Sequence, residues 1–205
     1  MKNTIKFLTI GVLVSFIAAC NSSSTDNTKT EAGITGLFNA DIAASTVSWR
    51  GEMIGGAYFH TGTIGLSEGM ITFENGNVTG GSFMIDMKTI TTTDNNYDSA
   101  KKSLPSGLIG HLGSPDFFAV DSFPTAKFEI TGADSTGITG NLTIRGITNA
   151  EKIQNIVIAK QDSSVNVKGT LTFDRTKYDI KYQNAAKDMV LSNDVQLNVE
   201  LIARP

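Results

Sequence analysis

The chain is 205 residues long, with a formal charge of −3, 40% hydrophobic residues, 20 glycines and one cysteine. A single cysteine excludes an internal disulfide framework, and an acidic balance excludes the basic stripe that nucleic acid requires. The length suits one folded domain with appendages.

At the N-terminus, Lys2 and Lys6 precede an apolar run of 13 residues from Phe7 to Ala19. That run is shorter than the ~20 residues a membrane-spanning helix needs. A charged start, a short apolar centre and small residues at its end describe a secretory signal, expected over residues 1–19. The sequence Ile17-Ala18-Ala19-Cys20 resembles a bacterial lipoprotein signal, which implies acylation of Cys20 and the membrane as a partner. Several acyl chains anchor stably where one does not, at ~0.8 kcal/mol per buried CH₂. Removal of residues 1–19 takes away Lys2 and Lys6 and no acids, leaving 15 basic and 20 acidic residues, formally −5. Residues 20–36 are rich in Ser, Thr and Asn and read as a lipidated flexible tether. Asn21 stands where an enteric inner-membrane retention signal carries Asp, so the expected location is the outer membrane, facing the periplasm.

The body expected over residues 37–205 is dominated by period-two alternation, the mark of half-buried strands. Val47, Trp49, Gly51 and Met53 share one parity; Ile71 and Phe73 share another before the turn at Asn75-Gly76. Phe83, Ile85 and Met87 follow, then Ala126, Phe128 and Ile130, then Ile138, Gly140, Leu142 and Ile144. Val165, Val167, Gly169, Leu171 and Phe173 alternate with polar residues, as do Val195, Leu197, Val199 and Leu201. Strands apolar on one side need a shared interior, and closing the sheet removes its aggregation-prone edges. One segment departs from this pattern. Leu104, Leu108, Ile109 and Leu112 fall at helical spacing, with Pro105 near the start and Gly113 and Pro115 as stops. They predict a short helix within residues 98–112, leading into Phe117-Phe118, either as a lid on the barrel end or as an outside connector.

The stretch His111-Leu112-Gly113-Ser114-Pro115-Asp116-Phe117-Phe118, followed by Phe123-Pro124 and Phe128, resembles the central signature of the YceI-like family. Ser45-x-Val47-x-Trp49, the run Gly140 to Thr148 containing Leu142-Thr143-Ile144-Arg145-Gly146, and Phe173-x-Arg175-Thr176-x-Tyr178 add to the likeness over roughly residues 45–203. The resemblance implies an all-β fold, an antiparallel lipocalin-like barrel of about eight strands. It also implies an extracytoplasmic lipid-binding role, with an isoprenoid such as a quinone or polyprenyl phosphate as the bound ligand and no other cofactor.

On that reading Trp49, Phe73, Phe83, Ile85, Phe128, Leu142, Ile144 and Phe173, chosen by inward parity, are the candidate ligand-lining residues. Arg145 and Arg175 are candidates to meet a polar or phosphorylated head group; a salt bridge at the barrel rim is the alternative for both. In a small barrel the same apolar side chains can instead fill the interior, which would leave a surface interaction or scaffold module. A second copy of the chain stays open as a partner. With two histidines, His60 and His111, no zinc site is assembled. Nothing resembles a nucleophile elbow, so no catalytic residue is nominated and an enzyme is not expected.

Overall fold

The structure, a computed structural model, describes residues 33–97, 103–183 and 190–205. The expected signal segment, Cys20 and the tether to residue 32 lie outside the described residues, as do residues 98–102 of the expected helical insertion.

Alternating runs become strands here because each buries its apolar parity against the same interior. In chain order they are β1 (Gly36–Ala40), β2 (Thr46–Met53), β3 (Phe59–Glu74), β4 (Asn77–Asp86), β5 (Thr125–Asp134), β6 (Gly137–Ile144), β7 (Ile147–Gln161), β8 (Ser164–Asp174) and β9 (Leu191–Arg204). Every pairing is antiparallel. The ladder runs β3-β2-β9-β8-β7-β6-β5-β4 and closes where β4 pairs with β3. β1 and β2 share one position between β3 and β9: β1 takes the Phe73 and Ala203 end, β2 the His60 and Leu191 end. The expected barrel of about eight strands is therefore what forms, with one of its eight positions filled by two strands.

Two tight turns show the local chemistry. Asn75-Gly76 and Arg145-Gly146 both hold positive φ at consecutive residues (50° and 81°, 51° and 73°), the requirement for a two-residue hairpin whose twist matches its strands. The barrel also begins earlier than the expected boundary at residue 37. Ile34 is 2% exposed, its carbonyl accepts from the Gly76 N–H at 2.8 Å, and Gly36 already pairs with Phe73.

The two ends of the barrel differ. At the Ile34 end Phe38 packs edge-on against Phe73 with ring centroids 5.5 Å apart, and Ile71 and Val165 are fully buried beside them, so these side chains make this the solid end of the apolar interior, with a separate half-polar pocket of about 310 Å³ between the β3–β4 turn, the β5–β6 turn and β7. The other end is capped by two connections. A 3₁₀ turn at Met87–Thr89 leads into an extended strap over residues 90–97 that runs beside β3, with Thr91 and Thr93 N–H donating to Thr63 and Thr61 carbonyls at 2.9 and 2.8 Å. The strap lies so close that a Cβ on Gly62 would overlap the Thr91 carbonyl and the Trp49 ring. After residue 104 the chain forms α1 (Pro105–Gly113), with Pro105 in its first turn and Ser114 donating its N–H and hydroxyl to the His111 carbonyl at 3.1 and 2.7 Å.

Candidate functional site

The interior is not filled. Below α1 and the strap lies an outer chamber of about 270 Å³, and deeper in the barrel an inner chamber of about 100 Å³. Val47, Ile85, Leu142 and Leu197 border both, so side chains from β2, β4, β6 and β9 form the waist at which the two chambers of this tunnel-like interior adjoin. Part of the space comes from small inward residues: Gly51 and Ala126 occupy positions on β2 and β5 that face the outer chamber. Inward residues such as Ile85, Val195 and Leu197 are only half-buried, and what they face is this cavity. The volumes lie near the lower end of ligand cavities, ~300–1,000 Å³, and suit one slender chain.

Polar groups gather at the mouth. Tyr58, His60, His111, Arg175, Tyr182, Ser192 and Asp194 border the outer chamber. The inner chamber is apolar apart from Lys168, whose ammonium is drawn to Glu200 at 2.8 Å. Such a tunnel distinguishes the two ends of a ligand: chain inward, head outward.

Arg175 is the most unusual of these groups. It is 4% exposed, held by the 3₁₀ turn Arg175–Tyr178 that follows β8. Its Nε donates to the Ser192 carbonyl at 2.9 Å and one terminal nitrogen to the Ile180 carbonyl at 2.6 Å. The other terminal nitrogen has only a long contact, 3.5 Å, to Asn193 Oδ1. No described carboxylate is recorded as an ion-pair partner. Burial pulls its pKa below the usual guanidinium value, and the charge of nearby Asp174 offsets this only in part. A buried cation without a paired anion is costly, and this one borders an apolar chamber.

Also at the mouth, His60 stands between Asp94, 3.1 Å from its Nδ1, and the Tyr58 hydroxyl, 3.0 Å from its Nε2, with the Tyr97 ring stacked on it. Burial disfavours ionisation of Asp94, but the Thr61 and Asn96 N–H groups and His60 outweigh it and hold the carboxyl below its usual range. This cluster fastens the strap to β3. His111 lies edge-on to Phe117 and Tyr182, at 4.8 and 4.7 Å between centroids, so α1 and the aromatic segment after it close over the chamber together.

Of the residues expected to meet a ligand, Trp49, Ile85, Leu142, Ile144, Phe173 and Arg175 border the outer chamber. Phe83 and Phe128 border the inner one, with Ile85 and Leu142 reaching both. The structure places two elsewhere. Phe73 lies in the solid end against Phe38, because its strand continues past the bottom of the cavity. Arg145 sits in the β6–β7 turn and donates to the Pro115, Phe117 and Asp179 carbonyls at 3.3, 2.7 and 3.1 Å, so it ties loops together outside the tunnel. Tyr58, Ala126 and Leu108 also border the outer chamber and were not among the expected lining residues. Leu108 carried a signal in the apolar face of α1 and Ala126 in its shared parity with Phe128, whereas a tyrosine in a Gly-rich turn carries none.

A closed antiparallel barrel with an apolar chamber open near one capped end is of the lipocalin-like class. The chain belongs to the YceI-like family, whose domain matches residues 38–203. A UPF0312 protein of Pseudomonas putida is 30% identical over 107 residues, 50% of each chain, and one of Staphylococcus aureus is 30% identical over 121 residues, 54% of this chain and 70% of that one. The chain thus spans about half the length of the Pseudomonas relatives it matches. Among solved structures, BcnA of Burkholderia cenocepacia has the same fold at a TM-score of 0.63, with 18% identity over 80% of this chain and 98% of that one. A polyisoprenoid-binding domain of Saccharophagus degradans aligns at 0.57, with 14% identity over 82% and 97%.

Proposed function

We propose that the chain is a non-enzymatic lipid carrier of the bacterial envelope, which stores or transfers one long-chain apolar molecule held inside the barrel. The observation that carries this reading is the hollow interior itself: two adjoining apolar chambers that share a wall, with most of their polar groups gathered at the mouth. An isoprenoid, as a quinone or a polyprenyl phosphate, is the proposed ligand. The Saccharophagus degradans domain, described as polyisoprenoid-binding, supports it. Such a ligand comes from a bilayer, so burying its chain in protein gains little net hydrophobic energy. Selection then rests on the bore of the waist and on the head group, for which Arg175 is the proposed contact.

Acylation of Cys20 is the proposed attachment, with the outer membrane, facing the periplasm, as the location. A leash raises the effective concentration of the barrel at the membrane surface, which favours a carrier that works with membrane lipids. The test is direct. Protein purified from bacterial membranes and extracted with solvent is expected to release an isoprenoid or another single-chain lipid in mass spectra, and prenyl compounds are expected to shift Trp49 emission on titration. Empty extracts together with unchanged emission would leave a barrel with no carrier role.

A further inference from the structure

The mouth carries apolar side chains on its outside as well as its inside. Ile54, in the β2–β3 turn, is 71% exposed, and Val190, just ahead of β9, is 52% exposed. They are neighbours, since the Ile54 N–H donates to the Val190 carbonyl at 2.8 Å. Each directly adjoins a residue that borders the outer chamber, Met53 and Leu191 respectively. Leu104, 49% exposed, precedes α1 one turn before Leu108, which also borders it. Water-exposed leucine, isoleucine and valine thus stand next to the mouth of the chamber.

We infer that this rim is a docking surface for a lipid bilayer, on which the barrel stands mouth-down to load or release its ligand. The inference rests on the carrier reading above. Three observations select a bilayer as the occupant. The exposed apolar residues adjoin residues that border the chamber, so a chain leaving a bilayer at this rim has a short path to the cavity. The apolar tips project from a turn and a strand end rather than from the barrel wall, a shape suited to shallow insertion of ~5–10 Å at the acyl boundary. Third is the length of chain outside the structure. Ile34 sits at the solid end, beside the β3–β4 turn, with β3 running the height of the barrel from there to the mouth. At ~3.3 Å per residue and a tilt of ~35–45°, a 16-residue strand stands roughly 35–40 Å tall. The 14 residues from Cys20 to Ile34 span at most ~46–50 Å. The segment is thus just long enough for a molecule anchored at Cys20 to turn its mouth onto its own leaflet.

The test places an environment-sensitive dye at either end of the full chain, in a Cys20→Ser background so that one thiol is labelled. Ala57→Cys reports the mouth and Thr79→Cys the solid end. Each protein is mixed with phosphatidylcholine vesicles carrying spin-labelled lipid, a zwitterionic surface chosen because the chain is acidic. The expected result is at least ~3-fold stronger quenching at position 57 than at 79, abolished by Ile54→Asp with Val190→Asp. The same double variant is expected to take up a prenyl compound from detergent micelles as the native rim does, but to load from vesicles at least ~10-fold more slowly. Quenching at 79 rather than 57, at neither position, or unchanged in the double variant would overturn the docking surface. So would mouth-specific capture of a soluble envelope protein in place of vesicles. Failure to take up ligand from micelles with the rim intact would instead sink the carrier reading, while the quenching pattern still decides the docking surface.

Discussion

Replacing Arg175 with Gln isolates the head-group contact. In the folded protein the guanidinium satisfies the Ser192 and Ile180 carbonyls and retains donor capacity beyond those two bonds. Its removal leaves buried acceptors short of partners, which costs ~1–3 kcal/mol each, so the variant is expected to melt several degrees lower and must be assayed below its transition. A hydrogen bond to a charged group contributes ~1.5–3 kcal/mol, equivalent to roughly 10- to 150-fold in affinity. Titration of Trp49 emission with a polyprenyl phosphate and with the uncharged polyprenol of equal length reads this directly, because Trp49 borders the same chamber. The phosphate is expected to weaken by that factor and the alcohol by less than ~3-fold. Equal weakening of the two ligands would show that Arg175 only supports the fold around Ile180 and Ser192.

Three further outcomes follow from particular contacts. Ala126→Phe puts a ring into the outer chamber; binding is expected to fall by more than ~10-fold while the calorimetric melting temperature holds or rises, as cavity filling does at ~0.5–2 kcal/mol. Gly62→Ala forces the strap and the Trp49 ring apart and threatens the bond from Trp49 Nε1 to the Thr91 carbonyl, now 3.1 Å; urea unfolding should show a loss of ~2–4 kcal/mol, with Trp49 emission altered in the folded state. Asp94 has a depressed pKa in the folded protein, so its contribution is complete above the unfolded value of ~3.9 and is lost as pH falls through the folded one. The protection of the Thr61 and Asn96 amides against hydrogen exchange, taken relative to the intrinsic rate at each pH, is therefore expected to fall as pH drops below the usual carboxylate range, and Asp94→Asn should show the reduced protection already at neutral pH.

Parity reading succeeded wherever a strand keeps its register. Val165, Val167, Leu171 and Phe173 on β8 all face inward as their spacing predicts, and each is buried. It failed at β7, which produced no legible alternation. The register of β7 against β8 shifts between Gln154 and Val157, Asn155 takes a positive φ of 54°, and Val157 is exposed while Ile156 and Ile158 are buried. A bulge adds one residue and moves every later side chain to the other face, so a period-two count across it cancels. β1 was lost for a different reason: five residues in a polar neighbourhood give too short a pattern. Among the site residues, parity found the walls but not the floor. Phe73 has the correct inward parity, yet depth along a strand depends on where the neighbouring side chains leave room. The arginines show the same limit. Arg145 and Arg175 are alike in sequence, each beside apolar strand residues, and only the turn that follows each strand decides which one borders the cavity.

The cavity has an energetic consequence. An eight-stranded barrel can be filled by its own side chains, and each Å³ left vacant in a core costs ~24 cal/mol. An outer chamber of about 270 Å³ is therefore packing that the protein's own side chains do not make, at a cost to stability. At the other end Phe38 and Phe73 pack edge to face, with Val165 fully buried beside them. At the mouth end Gly51 and Ala126 withhold side-chain volume, and Arg175 is a buried cation with no ion-pair partner among the described carboxylates, its charge offset only in part by Asp174. A molecule that fills the chamber and neutralises that charge supplies both missing contributions at once. Ligand at 100 times its dissociation constant adds ~2.7 kcal/mol to stability, so loading and folding are coupled through the same residues. On this argument the loaded protein resists unfolding more than the empty one by an amount that tracks ligand concentration, whereas a barrel whose vacancy had no occupant would show no such dependence.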